Sequence, residues 1–259
     1  MERTDGRLVL ITGASSGIGR AAALAFAARG DRVLAVARRL DALGALAALG
    51  ERLSPLVADV ADAASMEALA QRVLVERGVP DVVVANAGIG LDALFGETGD
   101  DALRRLFETN LIGVFRTLRP FLPGMVARGS GRALVVSSIV GKRGVPHYAG
   151  YSASKFALHG MADALRSELW GTGVSVGLVC PASTETEFRS KALRQGPAQR
   201  AVRPVRRSAE SVARAIVSMA ASRRRERILG FEAKLLTLAD TLSPALIDWL
   251  LARALTRRG

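Results

Sequence analysis

The segment Leu8-Val9-Leu10-Ile11-Thr12, followed at once by Gly13-Ala14-Ser15-Ser16-Gly17-Ile18-Gly19, constrains this chain more than any other stretch. A short apolar run of this kind reads as a strand buried on both faces, which belongs in a parallel sheet covered by helices. The glycines permit a tight bend and a close backbone approach, and Arg20 to Arg29 reads as a helix. Strand, glycine turn and helix start in this order leave backbone amides aimed at whatever lies above the turn, a geometry that receives a diphosphate. No Gly-Lys-Ser or Gly-Lys-Thr follows, which separates the turn from a nucleoside-triphosphate loop.

The spacing is GxxxGxG, different from the commoner GxGxxG dinucleotide turn but able to do the same work. What comes next bears on which dinucleotide. Arg32 to Ala37 is a second strand candidate, ending in Ala37-Arg38-Arg39 before a helix over Leu40 to Leu49. An acid at the end of this strand would suit the two ribose hydroxyls of NAD, whereas an arginine accommodates the added phosphate of NADP. Ala37 offers no carboxylate; Arg38 supplies the cation, with Arg39 as a second candidate and an exposed basic turn as the plain alternative.

Leu56-Val57-Ala58 is a third strand, ending at Asp59-Val60. Asp59 could accept from an adenine amino group with Val60 against the base, or it could cap the helix beginning near Ala63 to Met66. A fourth strand, Asp81 to Ala85, leads into the small-residue turn Asn86-Ala87-Gly88. The βαβαβ order predicts a parallel sheet with helices on both faces. The spacing also predicts a long helix over Arg104 to Leu118 carrying Asn110, whose amide is costly to bury without partners and so suits a water or backbone bridge to a lysine. A fifth strand, Arg132 to Val136, delivers Ser137-Ser138 to its carboxyl end, where ligand crevices of parallel sheets lie. Strand alternation makes Ser137 the poorer choice without deciding between the two hydroxyls.

Tyr151 and Lys155 stand one helical turn apart in a helix running to Leu169. A shared face puts an ammonium near a phenol, which favours the phenolate and suits proton transfer at an alcohol oxygen. A sixth strand follows at Val174 to Val179, then the turn Cys180-Pro181-Ala182. A helix over Ser208 to Met219 and a last strand over Ile228 to Phe231 complete the pattern.

These ordered motifs resemble the classical short-chain dehydrogenase/reductase family over residues 8 to 188. Thr12 to Gly19, including Gly13, Ser15, Ser16, Gly17, Ile18 and Gly19, looks like its coenzyme turn. Asn86, Ala87 and Gly88 match the later turn, although Ala85 replaces the commoner asparagine. Asn110, Ser138, Tyr151 and Lys155 align with the catalytic tetrad, and the spacing to Tyr151 selects Ser138 over Ser137 by resemblance. The family implies an α/β, single-domain doubly wound Rossmann-like fold with a mostly parallel seven-stranded sheet flanked by helices, and nicotinamide-dependent chemistry without a metal. In that scheme Tyr151 moves the proton, Ser138 orients the reacting oxygen, Lys155 binds the nicotinamide ribose and lowers the tyrosine pKa, and Asn110 holds the relay. Pro181-Ala182-Ser183-Thr184-Glu185-Thr186 resembles the loop over the nicotinamide, with Thr184 and Thr186 as contacts; Ala182 departs from the usual glycine.

The implied function is an NADP(H)-preferring oxidoreductase interconverting a lipophilic ketone or aldehyde and its alcohol. The alternatives are an NAD-dependent alcohol dehydrogenase and a catalytically silent dinucleotide sensor. Family likeness favours a homodimer or homotetramer, with residues 183 to 207 as a substrate lid. The apolar helical surfaces in Phe231 to Leu255, interrupted by Pro244, are expected to pack in the core or between subunits, with contact to a membrane surface the lesser alternative. Their residues are Phe231, Leu235, Leu236, Ile247, Trp249, Leu250 and Leu251.

Charge and cysteine usage narrow the setting. The formal charge of +12 can favour polyanions, yet no nucleic-acid module accompanies the arginine-rich stretches, so solvated charge is expected. Cys180 is the only cysteine, and Met1 to Asp5 leads into no secretory apolar region, which together point to a reducing, cytoplasmic setting. Neither His147 nor His159 has a metal-like ligand cluster near it in sequence, so a protein-ligated zinc centre is not expected.

Overall fold

The computed structural model describes residues 6–196 and 207–255. The middle of the expected lid, 197–206, therefore lies outside the described residues, as do 1–5 and 256–259.

Seven strands form the main sheet: β1 (Leu8–Thr12), β2 (Arg32–Ala37), β3 (Leu53–Val57), β4 (Val82–Ala85), β5 (Gly131–Val136), β6 (Val174–Pro181) and β7 (Glu226–Leu229). Their order is β3-β2-β1-β4-β5-β6-β7 and every neighbouring pair is parallel. Valine, leucine and isoleucine fill both faces of the central strands, as a sheet buried on two sides requires. Alternation then sorts them: Leu8 and Leu10 join one apolar cluster, Val9 and Ile11 the other. The first cluster is covered by α3 (Ala63–Glu76), α5 (Gly113–Leu118), α6 (Leu122–Arg128) and α7 (Ala149–Glu168). On the opposite face, α1 (Gly17–Ala27), α2 (Leu40–Ala47) and α8 (Ala209–Ala220) cover the second. Phe26 of α1 and Ile216 of α8 are fully buried there.

The order reverses between β1 and β4, so successive crossovers leave on opposite sides and open a crevice above the strand ends. That crevice holds the glycine turn and the residues after β4.

Several boundaries differ from the sequence reading. β3 runs over Leu53–Val57 and so includes Pro55, which an edge strand tolerates because one side of its ladder needs no donor. The cap of α3 is Asp62, accepting from Ala64 and Ser65 amides, because Asp59 spends a carboxylate oxygen on its own turn at the Ala61 amide. The expected helix over Arg104 to Leu118 starts earlier, as α4 (Asp100–Phe107), and reaches α5 through a π-helical turn at Glu108–Ile112.

After β7 the chain forms two helices, α9 (Phe231–Leu242) and α10 (Pro244–Leu255). Pro244 opens the second helix, where its missing amide hydrogen costs nothing. Of the two packings expected of the tail, the one in the core is not what is seen. Of the seven residues named for it only Ile247 is buried, with Leu236 and Leu251 half-buried and the rest exposed. The helices meet the domain through Ala233, Ile247 and a paired arginine, and among the described residues their outer face is exposed.

Candidate active site

Glycines set the floor of the crevice. Gly13 and Gly17 have φ of +70° and +53°, a region that side chains with a Cβ rarely occupy. At Gly19 an added Cβ would lie 2.2 Å from the Gly13 carbonyl oxygen and 2.5 Å from Asn86 Nδ2. The turn is thus folded tightly on itself and locked to the second turn. Asn86 Nδ2 donates to the Thr12 carbonyl at 2.9 Å, while Thr12 Oγ1 accepts from the Asn86 and Ala87 amides at 3.2 and 3.3 Å. Ser16 stands before α1 in extended conformation without a side-chain cap bond, and Ile18 packs onto the core. The first-turn amides of α1 therefore face the crevice with no side-chain acceptor from Ser16.

Both arginines sit at the end of β2, beside this turn. Arg39 donates to Ser15 Oγ at 3.1 Å, and Arg38 lies 3.5 Å from Asp59 in an exposed pair. The Arg38–Asp59 pair ties two candidate coenzyme residues together, while Val60 is buried against Gly113 of α5. On the far side, Thr186 packs over the coenzyme turn: a Cβ on Gly17 would come within 3.1 Å of its methyl carbon. Pro181 ends β6, and Thr184 bonds the Ala182 carbonyl at 3.2 Å.

The chemical groups gather at the ends of β4 and β5. Asn110 is fully buried at the centre of the π turn. Its Oδ1 accepts from the Ile89 amide at 2.8 Å, and its Nδ2 donates to the Ile89 carbonyl at 3.0 Å and to Ser154 Oγ at 3.1 Å. Ser154 in turn donates to the Tyr151 carbonyl at 2.8 Å. Asn110 thus ties the chain after Gly88 to the helix that carries Tyr151 and Lys155. Gly88 leaves room for it, since a Cβ there would lie 3.2 Å from Asn110 Oδ1 and 3.7 Å from Lys155 Nζ.

The two serines diverge as alternation requires. Ser137 is buried toward α7, 3.3 Å from the Lys155 carbonyl oxygen and 3.2 Å from His159 Nε2. Ser138 faces Tyr151, where its hydrogen bonding favours the phenolate. Burial opposes it and is the larger effect, with Tyr148 adding to it, so the phenol is held above its ordinary range. The expected acidifying contact from Lys155 takes another form here. Lys155 Nζ donates to the Val136 carbonyl at 3.0 Å and lies 5.8 Å from the centre of the Tyr151 ring, directed at backbone and ring face. Burial lowers the Lys155 ammonium to about 8.

Sequence reasoning passed over the covering groups. Phe188 lies on the Tyr151 ring with centres 5.7 Å apart, Tyr148 meets it edge-on at 6.3 Å, and Arg189 reaches the Tyr148 hydroxyl at 3.3 Å. Leu193–Arg194 pairs with Leu91–Asp92, drawing the described part of the lid across the crevice. Aromatic residues in an aperiodic loop carry no pattern that would have revealed this.

The reading of His159 as remote from any ligand cluster is corrected. His159, Cys180 and Glu226 place one ligand-type atom each within 4.8 Å of one another. Separations of 21 and 46 residues from Cys180 hid the group. Glu226 is paired with Lys142 at 2.8 Å and accepts from the Cys180 thiol at 3.4 Å, and His159 Nε2 lies 3.2 Å from Ser137 Oγ, so all three already have protein partners. Burial pushes the thiol up and the imidazole down, keeping both neutral.

Comparison with known proteins agrees with this geometry. The sequence profile described as short chain dehydrogenase matches residues 7–196. A Mycobacterium tuberculosis protein, "Probable oxidoreductase EphD", is 41% identical over 186 residues, which span 70% of this chain but only 31% of that protein. A short chain dehydrogenase/reductase from Burkholderia phymatum, solved with NAD, superposes with a TM-score of 0.84 at 26% identity, covering 95% of this chain and 96% of that one. An alcohol dehydrogenase from Thermococcus sibiricus, solved with 5-hydroxy-NADP, gives 0.76 at 30% identity over 86% and 95%. With the glycine turn, the buried asparagine and the Tyr151–Lys155 helix all inside the matched span, this chain belongs to the short-chain dehydrogenase/reductase family of oxidoreductases.

Proposed function

We propose that the protein is an NADP(H)-preferring carbonyl reductase acting on a lipophilic ketone or aldehyde and, in reverse, on the corresponding alcohol. The observation that carries this reading is the meeting of Ser138, Tyr151 and Lys155 above a turn that only glycines can form. The residues present fit a dinucleotide. Gly13, Ser15, Ser16, Gly17, Ile18 and Gly19 would cradle its diphosphate, and Asn86, Ala87 and Gly88 would lie along its ribose. Asp59 and Val60 would meet the adenine, with Pro181, Thr184 and Thr186 near the nicotinamide. Arg38, with Arg39 held at Ser15, would take the added phosphate.

When bound, the nicotinamide ring supplies or takes a hydride at the substrate carbon. Tyr151 gives its proton to the developing alkoxide in reduction and takes one back in oxidation. Its raised pKa keeps it protonated and ready to donate. Ser138 donates to the same substrate oxygen, and Lys155 brings a positive charge beside the phenol that opposes the cost of the phenolate once the proton has left. Asn110 and Ser154 keep α7 in register with the chain after Gly88. Phe188 and Tyr148 exclude water from the phenol and present an apolar wall, which supports a lipophilic substrate.

Residues 1–259 are taken as one catalytic unit with a lid at 183–207. The buried free Cys180 supports a reducing, cytoplasmic setting, and the family supports a homodimer or homotetramer. The test is a screen of matched carbonyl and alcohol panels with NADPH, NADH and their oxidised forms, repeated with Tyr151→Phe. Turnover should fall by about 100-fold or more while coenzyme affinity holds. Near-normal turnover in a folded Tyr151→Phe protein rules out the proton-transfer role, and dinucleotide binding without turnover on any panel favours a sensor.

A further inference from the structure

The outer face of α9 and α10 is apolar along its whole length. On α9 the exposed residues Phe231, Leu235, Leu238 and Leu242 follow one another at intervals of four, three and four, which is a single helical stripe. On α10 the exposed Leu246, Trp249 and Leu250, with Arg253 at the end, lie at intervals of three, one and three and so share one face, while Ile247 is buried. Phe231 is 72% exposed and Leu242 77%, values far outside ordinary packing. Each helix has 12 residues, about 18 Å of length against the roughly 30 Å of a bilayer core. Among the described residues no helix is long and apolar enough to cross a membrane. An apolar stripe too short to span is suited to lying in an interface.

Charge favours a lipid surface over a second copy of this chain. Asp240 and Asp248, two of the three acids on these helices, are both paired with Arg143 of the loop that leads to Tyr151. Among the described residues that leaves Lys234 and Arg253 against Glu232 as the charges of these helices without an ion pair, on a molecule carrying +12 overall. Two copies of this face would set like charge against like charge, whereas an anionic leaflet attracts each of them; assembly through other surfaces is untouched by this. Arg253 also stacks on the Trp249 ring at 4.7 Å, joining a cation to the aromatic side chain that most favours the headgroup region.

We propose that α9 and α10 form an in-plane docking surface for an anionic lipid bilayer. The hairpin sits beside the catalytic crevice, because Arg143 joins it to the loop before Tyr151 and an apolar cleft lined by Val145, Pro146, Ala149 and Leu251 separates the two. Use of this surface to collect a lipophilic substrate rests on the proposed function; the docking itself does not.

The test is sedimentation of the purified chain with vesicles of equimolar phosphatidylglycerol and phosphatidylcholine, and with phosphatidylcholine alone, paired with light scattering in the absence of lipid. The chain should pellet with the anionic vesicles and bind neutral ones more weakly. The double variant Leu238→Glu with Trp249→Glu should weaken binding about tenfold or more, since it removes two apolar anchors and adds two repelled charges. Both side chains are exposed, so native melting should be retained; Leu242→Glu is the second variant should that pair impair folding. Failure to pellet, or pelleting untouched by the variants, overturns the proposal. So does a lipid-free oligomer that the variants dissociate, which would assign the face to a second copy. None of these readouts uses turnover, so they stand or fall separately from the catalytic reading.

Discussion

Replacing Asn110 by leucine is a direct measure of what holds the crevice together. The side chains have the same number of heavy atoms and the same branching, so the largest change is in hydrogen bonding. Three bonds disappear: from the Ile89 amide at 2.8 Å, to the Ile89 carbonyl at 3.0 Å and to Ser154 Oγ at 3.1 Å. Ser154 keeps its bond to the Tyr151 carbonyl, but both backbone groups of Ile89 lose their side-chain partner. A buried polar group left unpaired costs about 1–3 kcal/mol, which gives about 2–6 kcal/mol for the two. Ile89 is only half-buried and leucine recovers some apolar burial, so the expected loss is in the lower half, about 2–4 kcal/mol. Urea unfolding at fixed protein concentration, with an unchanged m-value, measures it. Ser154→Ala is the control and should cost about 1–2 kcal/mol, because it removes two side-chain bonds, from Asn110 and to the Tyr151 carbonyl, and leaves the Ile89 bridge intact. If Asn110→Leu costs no more than Ser154→Ala, the bridge to Ile89 is not what organises this site.

Other perturbations probe separate parts of the crevice. Lys155→Met should be more stable than the parent at pH 7. Burial holds the Lys155 pKa down at about 8, against an ordinary value of 10.5, so its charge destabilises the fold most below about pH 8. The advantage should shrink as pH rises from about 8 to 10.5, where the folded lysine loses its proton before the unfolded one does; an advantage that grows over that range refutes the assignment. Arg38→Ala should weaken NADPH about 10-fold to 100-fold while leaving NADH nearly unchanged, as measured by fluorescence titration, and an equal loss for both coenzymes removes Arg38 from phosphate recognition. Gly19→Ala places a methyl 2.2 Å from the Gly13 carbonyl oxygen, so dinucleotide binding should be lost before the fold is, with calorimetry and circular dichroism separating the two.

Legibility in the sequence followed the physics of each feature. β1 and β2 appear with the expected ends because continuous apolar runs bounded by glycine and charge leave little choice. The glycine turns and the Tyr151–Lys155 pair were visible because spacing alone carries their geometry. The π turn was not, since one additional residue in a helical turn changes the apolar period too little to register over a dozen positions. Asp59 is the cap read from the sequence, and the competing Ala61 bond is what passes that role to Asp62. Alternation and resemblance already favoured Ser138 over Ser137, and what the sequence left out is that α7 receives Ser137. His159, Cys180 and Glu226 meet through the parallel pairing of β6 with β7, which no local pattern announces. An amphipathic tail likewise declares that it has an apolar face without saying what that face meets.

The π turn at Glu108–Ile112 carries a consequence for how this protein can be improved or degraded. A wider turn forgoes the usual helical bonding for one residue, and such turns are found mostly where a site uses their geometry. Deleting one residue there would straighten the run from Asp100 to Leu118 and swing Asn110 by about a quarter turn or more, away from Ile89 and Ser154. Selection for heat resistance alone would reward a straight helix, and selection for turnover would restore the bulge. The site is therefore a place where the two pressures act in opposite directions on the same residue count.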